Sequence, residues 1–255
     1  MATSTPSSSR KPSSKPNPLT NAYLFLYNFL SLSLWATLTI RLIPLLIPRL
    51  LTLATTGTFP TDSANDNDAP ALFATLFSPH LLYTQSLAAL EILHSIFGLV
   101  RAPVITTAMQ VASRLLVVWG ILWMFASEEG FGGGEGVIMG GGGGVSGEVA
   151  FVGCLVAWGV TECIRYGFFA LQVGGKGIPG WLTWLRYNTF YVLYPTGISS
   201  ECWLIFLALG PAREFSPLYQ WFLISVLVVY IPGSYILYTH MMAQRRKATN
   251  KKRAN

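Results

Sequence analysis

Tyr194 and Glu201 lie seven residues apart in the apolar stretch from Leu185 to Leu207. A carboxyl group in such a run is costly to place in hydrocarbon and marks a functional residue by default. Seven residues make two helical turns, so both side chains project from nearly the same face, roughly 10 Å apart along the axis. Helical side chains lean toward the N-terminus, which tilts Glu201 toward Tyr194 and lets the two converge on one bound molecule. No basic residue lies within a turn or two of Glu201 along its own helix. A carboxyl without an adjacent cation in a low-dielectric interior is suited to taking up or giving a proton near neutrality. The pair therefore reads as an acid and a base. Pro195 and Gly197, between them, weaken the local helix and permit a kink.

Other polar residues interrupt neighbouring apolar runs. Glu91 and His94 are three apart on one helical face, continued by Gly98 and Arg101; an interhelical hydrogen-bond network is the first reading and a catalytic dyad the sharper one. Arg114 needs a carboxylate if it faces inward, and both Glu91 and Glu162 are candidates. Glu162, Arg165 and Tyr166 share a face, and a Glu–Arg pair at this spacing lowers the cost of burying either. Their default role is structural, with support of catalysis as the alternative. Arg186 sits near the end of its span, where it can snorkel to the interface. Tyr187, Tyr191 and Tyr194 recur at helical spacing, as an aromatic packing stripe would.

Several chemistries are disfavoured. Cys154, Cys163 and Cys202 show neither CxxC spacing nor a histidine cluster, so neither a disulfide framework nor a metal site is expected. A cysteine phosphatase needs an arginine six positions after its nucleophile, but Val160, Phe169 and Ala208 stand there. Gly142, Gly144 and Gly147 match GxGxxG without the strand and βαβ context of a nucleotide site. No cofactor is expected.

The elements that must position these residues follow from composition. The chain has 255 residues, 52% hydrophobic and 11% charged, with mean hydropathy +0.47. Such a balance indicates an all-α polytopic membrane protein. Runs long enough to span the bilayer occur at about 21–43, 79–99, 103–126, 149–172, 182–209 and 217–239, which predicts a six-transmembrane-helix bundle over 19–240. Residues 44–53 and 70–79 read as interfacial helices or as extensions of the first two spans. Residues 1–18 are predicted to be a disordered basic tail, 130–147 a flexible glycine-rich loop, and 241–255 a second basic tail. The net charge of +6 resides largely in these tails, which argues for a bilayer surface and against nucleic acid. With six spans, both basic tails, Arg101 and Lys176 fall on one side; Asp62, Asp66, Asp68, Glu128, Glu129 and Glu135 fall on the other. The positive-inside bias thus predicts cytosolic termini.

The stretches Leu90-Glu-Ile-Leu-His-Ser-Ile-Phe-Gly-Leu-Val-Arg-Ala-Pro, Gln110-Val-Ala-Ser-Arg, Glu162-Cys-Ile-Arg-Tyr, Leu185-Arg-Tyr and Leu193-Tyr-Pro-Thr-Gly-Ile-Ser-Ser-Glu resemble those of a known family. It is the membrane-bound 3-hydroxyacyl-CoA dehydratases of very-long-chain fatty-acid elongation, also called protein tyrosine phosphatase-like proteins. The likeness runs from Tyr23 to Tyr238. It implies six spans with cytosolic termini, an endoplasmic reticulum membrane location, a 3-hydroxyacyl-CoA substrate, no cofactor, and Tyr194 and Glu201 as the catalytic pair. Membrane lipids and other elongation-cycle enzymes (condensing enzyme, ketoacyl and enoyl reductases) are the implied partners. The long loop at 130–147 departs from the family pattern. The C-terminal Lys251-Lys-Arg-Ala-Asn is only a near match to a dilysine retrieval signal.

For this elimination Glu201 is expected to remove the C2 proton while Tyr194 protonates the departing hydroxyl, with the reverse assignment open. Backbone N–H groups freed around Pro195 and Gly197, or Arg165 and Tyr166, are candidate donors to the enolate oxygen. The acyl chain is expected between helices and the CoA head at the basic cytosolic face. A transporter or a scaffold for other membrane enzymes is the competing reading.

Overall fold

The computed structural model describes residues 18–57, 72–100, 102–126 and 144–254, and among these the chain is helical with no strand. Residues 1–17 of the expected N-terminal tail, the acidic loop residues, Arg101 and residues 130–143 of the glycine-rich loop lie outside the described residues. Helix α1 (Pro18–Thr56) continues through Pro44 and Pro48, so residues 44–53 extend the first span. The expected second span is instead a succession of short pieces. They are α2 (Leu72–Leu76), a wide π turn at Phe77–Leu81, α3 (Leu82–Leu87) and α4 (Ala89–Ile96). Pro79 lies in the π turn, where its missing N–H disturbs the regular ladder. Gly98, at φ +66°, ends the run, and the Leu99 and Val100 N–H groups donate to the His94 carbonyl.

Helix α5 (Val104–Leu115) passes through a second π turn, Leu116–Trp123, into α6 (Met124–Ala126). At this turn the Gly120 carbonyl accepts the Tyr219 hydroxyl at 2.9 Å. Then follow α7 (Gly144–Val173), α8 (Gly180–Asn188), α9 (Phe190–Phe215) and α10 (Pro217–Ala254). Two boundaries differ from expectation. Gly144–Gly147 begin α7 rather than closing a loop, and the expected basic tail at 241–255 continues α10 as helix through Ala254. Among the described residues five helices are long and apolar enough to cross a membrane, where six spans are expected. The difference is the segmented stretch before Gly98.

Helix α7 is central: it packs against α1 on one side and α9 on the other, and α9 in turn packs against α10. Of its most apolar window 61% is buried, against 22% for α1 and 11% for α10. Small residues permit this crowding. A Cβ on Gly153 would collide with Ser200 of α9, and one on Gly159 with Thr39 of α1. Lipid tails provide no hydrophobic drive between helices, so close backbone approach and interhelical hydrogen bonds hold the bundle.

Charged side chains inside the bundle join helices. Arg49 of α1 donates to Glu148 of α7 at 2.8 Å. Arg165 of α7 grips Glu91 of α4 through both terminal nitrogens, at 2.7 and 2.6 Å. Its Nε donates to Glu162 at 2.7 Å. Arg114 of α5 pairs with Glu162, which decides between its two candidate carboxylates. The Tyr166 hydroxyl also donates to Glu91, and that of Tyr27 from α1 reaches it at 3.4 Å. His94 bonds Tyr23 at 2.7 Å and packs edge-on against Tyr27. Glu91 and His94 thus take part in one interhelical network that meets at Tyr27.

Glu91→Ala removes the acceptor shared by two Arg165 N–H groups and the hydroxyls of Tyr166 and Tyr27. It is expected to lower stability by roughly 3 kcal/mol, the lower end of the cost of breaking a buried ion pair, because Arg165 keeps Glu162 and is 26% exposed. Thermal unfolding in detergent checks this, with Glu91→Gln falling between the alanine variant and wild type. An alanine variant as stable as wild type contradicts the clamp.

Candidate active site

Helix α9 carries both proposed catalytic residues. Thr189, with helical φ and ψ, links it to α8, and the helix persists across Pro195 and Gly197. The expected free N–H groups there are therefore absent. A proline in a helix removes its own donor and frees a carbonyl of the preceding turn, while the N–H groups that follow stay in the ladder.

Glu201 is buried, 6% exposed, and both its oxygens have partners. The Trp158 indole Nε1 of α7 donates to Oε1 at 2.8 Å. The Tyr230 hydroxyl of α10 donates to Oε2, also at 2.8 Å. The Tyr194 hydroxyl donates to the Ser234 carbonyl of α10 at 3.2 Å, with its ring tilted against Tyr238. Tyr194 and Glu201 thus face neighbours in the same helix, α10, one turn apart.

Both residues line one chamber of about 520 Å³, walled by Trp158 of α7, Met109 and Ser113 of α5, and Tyr230 and Gly233 of α10. A second chamber of about 410 Å³ is bordered by Glu91, His94, Arg165, Arg186 and His240. The two share Gln110, Arg114, Thr161, Phe190, Leu237 and Met241 as walls, so they adjoin. One offers an apolar slot with a carboxyl and a phenol, the other a more polar vestibule.

The remaining sequence candidates separate accordingly. Glu91, His94, Glu162, Arg165 and Arg186 line the vestibule, and Arg114 borders both chambers. Tyr166, 1% exposed, lines neither, and its hydroxyl is engaged by Glu91. Arg165 is held by two carboxylates away from the slot. Neither lines the slot. Arg186 does not extend along the helix end; its guanidinium lies 4.4 and 4.5 Å from the Phe168 and Phe169 ring centres. Gln85, buried at the vestibule wall, has no partner for either amide atom, and neither does the Ser95 hydroxyl. Among the described residues no three His, Cys, Asp or Glu side chains gather as metal ligands.

Sequence reasoning did not identify Trp158, Tyr230 or Ser234. The available signal was weak. An indole N–H and a phenol inside apolar spans each call for a partner, but only packing shows that both find the same carboxyl.

The family profile described as "Protein tyrosine phosphatase-like protein, PTPLA" matches residues 85–251. The chain is 40% identical over 198 residues to "Very-long-chain (3R)-3-hydroxyacyl-CoA dehydratase PASTICCINO 2A" of Oryza sativa, covering 72% of this chain and 81% of that one. It is 40% identical over 169 residues to the "Probable very-long-chain (3R)-3-hydroxyacyl-CoA dehydratase" of Schizosaccharomyces pombe, covering 66% and 73%. It is also 40% identical over 176 residues to the Caenorhabditis elegans dehydratase hpo-8, covering 64% and 73%. No solved structure matches. The matched residues contain both Tyr194 and Glu201 and all the helices that wall the slot, and the chain belongs to the protein tyrosine phosphatase-like (PTPLA) family.

Proposed function

We propose that this chain is a very-long-chain (3R)-3-hydroxyacyl-CoA dehydratase, a hydro-lyase that converts its substrate to the trans-2-enoyl-CoA. The observation that carries the reading is a buried carboxyl and a phenol facing one apolar slot that adjoins a polar vestibule. The relatives' names supply the reaction. In this mechanism Glu201 removes a proton from C2, the C2–C3 double bond forms, and the C3 hydroxyl leaves as water with the proton of Tyr194. One proton must then pass from Glu201 to the phenolate to restore the starting state. General acid–base catalysis needs no more than these two groups in reach of the reacting atoms.

The chamber pair suits a substrate with two unlike ends. A long acyl chain fits the slot, and the polar thioester arm fits the vestibule, where Gln85 and Ser95 offer unpartnered hydrogen-bonding atoms and Arg186 offers a cation. Arg114 borders both chambers, so a thioester at the junction lies beside a guanidinium, which replaces Arg165 and Tyr166 as the proposed stabiliser of the enolate. The competing transporter or scaffold reading gains no support from relatives named as dehydratases.

The location proposed is the endoplasmic reticulum membrane with both termini cytosolic, residues 1–18 and 241–255 being basic tails. Its support is the cluster of Arg245, Arg246, Lys247, Lys251, Lys252 and Arg253, which the positive-inside rule assigns to the cytosol. Substrate supply and product removal require the condensing enzyme and the ketoacyl and enoyl reductases of an elongation cycle, which we propose as partners.

Purified protein supplied with a long-chain 3-hydroxyacyl-CoA is expected to release the 2-enoyl product. Tyr194→Phe and Glu201→Gln should each lower turnover by about 10²- to 10⁴-fold while remaining folded; near-wild-type turnover in both would sink the mechanism. Arg186→Ala is expected to raise KM roughly tenfold for the CoA thioester, in line with the loss of one charge-assisted hydrogen bond. The matching N-acetylcysteamine thioester, which lacks phosphate, should be unaffected. Equal effects on both substrates would remove Arg186 from head-group binding.

A further inference from the structure

The two donors that hold Glu201 are chemically unlike. An indole N–H can only donate, so Trp158 requires Oε1 to act as acceptor whatever the charge of the carboxyl. A phenol can donate or accept, so Tyr230 can hold Oε2 in either state by turning its hydroxyl. Trp158 is itself firmly placed: it is 2% exposed, and Arg114, which pairs with Glu162, lies over its ring at 5.5 Å. Tyr230 is half-buried, lines the slot, and also faces the Ser113 hydroxyl of α5.

We propose that Tyr230 is a positioning residue for Glu201: by holding Oε2 against the fixed Trp158 contact at Oε1, it sets the carboxyl plane toward the slot and makes Oε2 the oxygen that gains and loses the proton. The inference rests on the dehydratase reading. It extends that reading by assigning a second tyrosine a role distinct from that of Tyr194, whose hydroxyl is turned to Ser234. When the C2 proton moves to Oε2, the Tyr230 hydroxyl changes from donor to acceptor and Glu201 keeps both contacts through the catalytic cycle. No atom is gained or lost at Tyr230 itself.

The test compares full-length wild type and Tyr230→Phe in detergent or liposomes, with a long-chain 3-hydroxyacyl-CoA and its 2,2-dideuterated form. The variant should keep the wild-type unfolding temperature within a few degrees and KM within about twofold. Its kcat should fall about ten- to a hundredfold, the worth of one hydrogen bond to a charged group. The isotope effect on kcat should rise, because proton abstraction becomes the slow step; a merely structural role would not produce that rise. Unchanged kcat and isotope effect, or a raised KM alone, would overturn the proposal. If Tyr230→Phe does not fold, 3,5-difluorotyrosine placed at position 230 keeps ring and hydroxyl while changing the donor. It should alter kcat at constant KM, and no change in kcat would overturn the proposal. A wild-type protein without dehydratase turnover would overturn the functional reading and this proposal together, whereas an active wild type with an equally active Tyr230→Phe would overturn this proposal alone.

Discussion

Hydrocarbon does not solvate charge, so ionised side chains within this bundle must find partners, on a neighbouring helix or on their own. Arg165 meets that constraint most fully, bonding Glu91 on α4 and Glu162 on its own helix while Glu162 also holds Arg114 of α5. Four charges of balanced sign thereby fasten the segmented stretch before Gly98 to the central α7. Without such a clamp, short helices such as α3 and α4 would have little to keep them in register, since helices of this length are marginal by themselves.

The same central helix joins the clamp to the site. Small residues let α9 approach α7 closely, with Gly153 against Ser200 and Gly197 against Ala157, and this approach brings Trp158 onto Glu201. Arg114 links the two regions, pairing with Glu162 on one side and covering the Trp158 ring on the other. Helix α10 is the least buried of the long helices, yet it contributes Tyr230 and Ser234 to the slot. The site is thus assembled from a buried side, α7, and an exposed side, α10, with the proposed catalytic residues on α9 between them.

Much of this was legible in the sequence because it is local. Apolar length reveals spans, helical spacing puts Tyr194 and Glu201 on one face, and a Glu–Arg pair three apart reveals the start of the clamp. The segmentation of the expected second span was not legible, because an apolar run does not report a π turn at Pro79 or the turn at Ala88. The expected free N–H groups near Pro195 failed because a proline-bearing helix stays continuous where packing supports it. Trp158 and Tyr230 were invisible for a further reason. Each is separated by many residues from Glu201, and nothing in a single sequence records which faces of α7 and α10 meet.

The proposed mechanism requires one bound substrate to lie between Tyr194 and Glu201. The most direct measurement is an experimental structure of the protein with an unreactive long-chain 3-hydroxyacyl-CoA analogue. The expected result has the thioester at the Arg114 junction, the acyl chain in the slot, and the C3 oxygen within about 3 Å of the Tyr194 hydroxyl, the reach of a general acid. The C2 carbon should face Glu201. An analogue bound outside the slot, or one whose C2 and C3 atoms face neither residue, would rule that mechanism out.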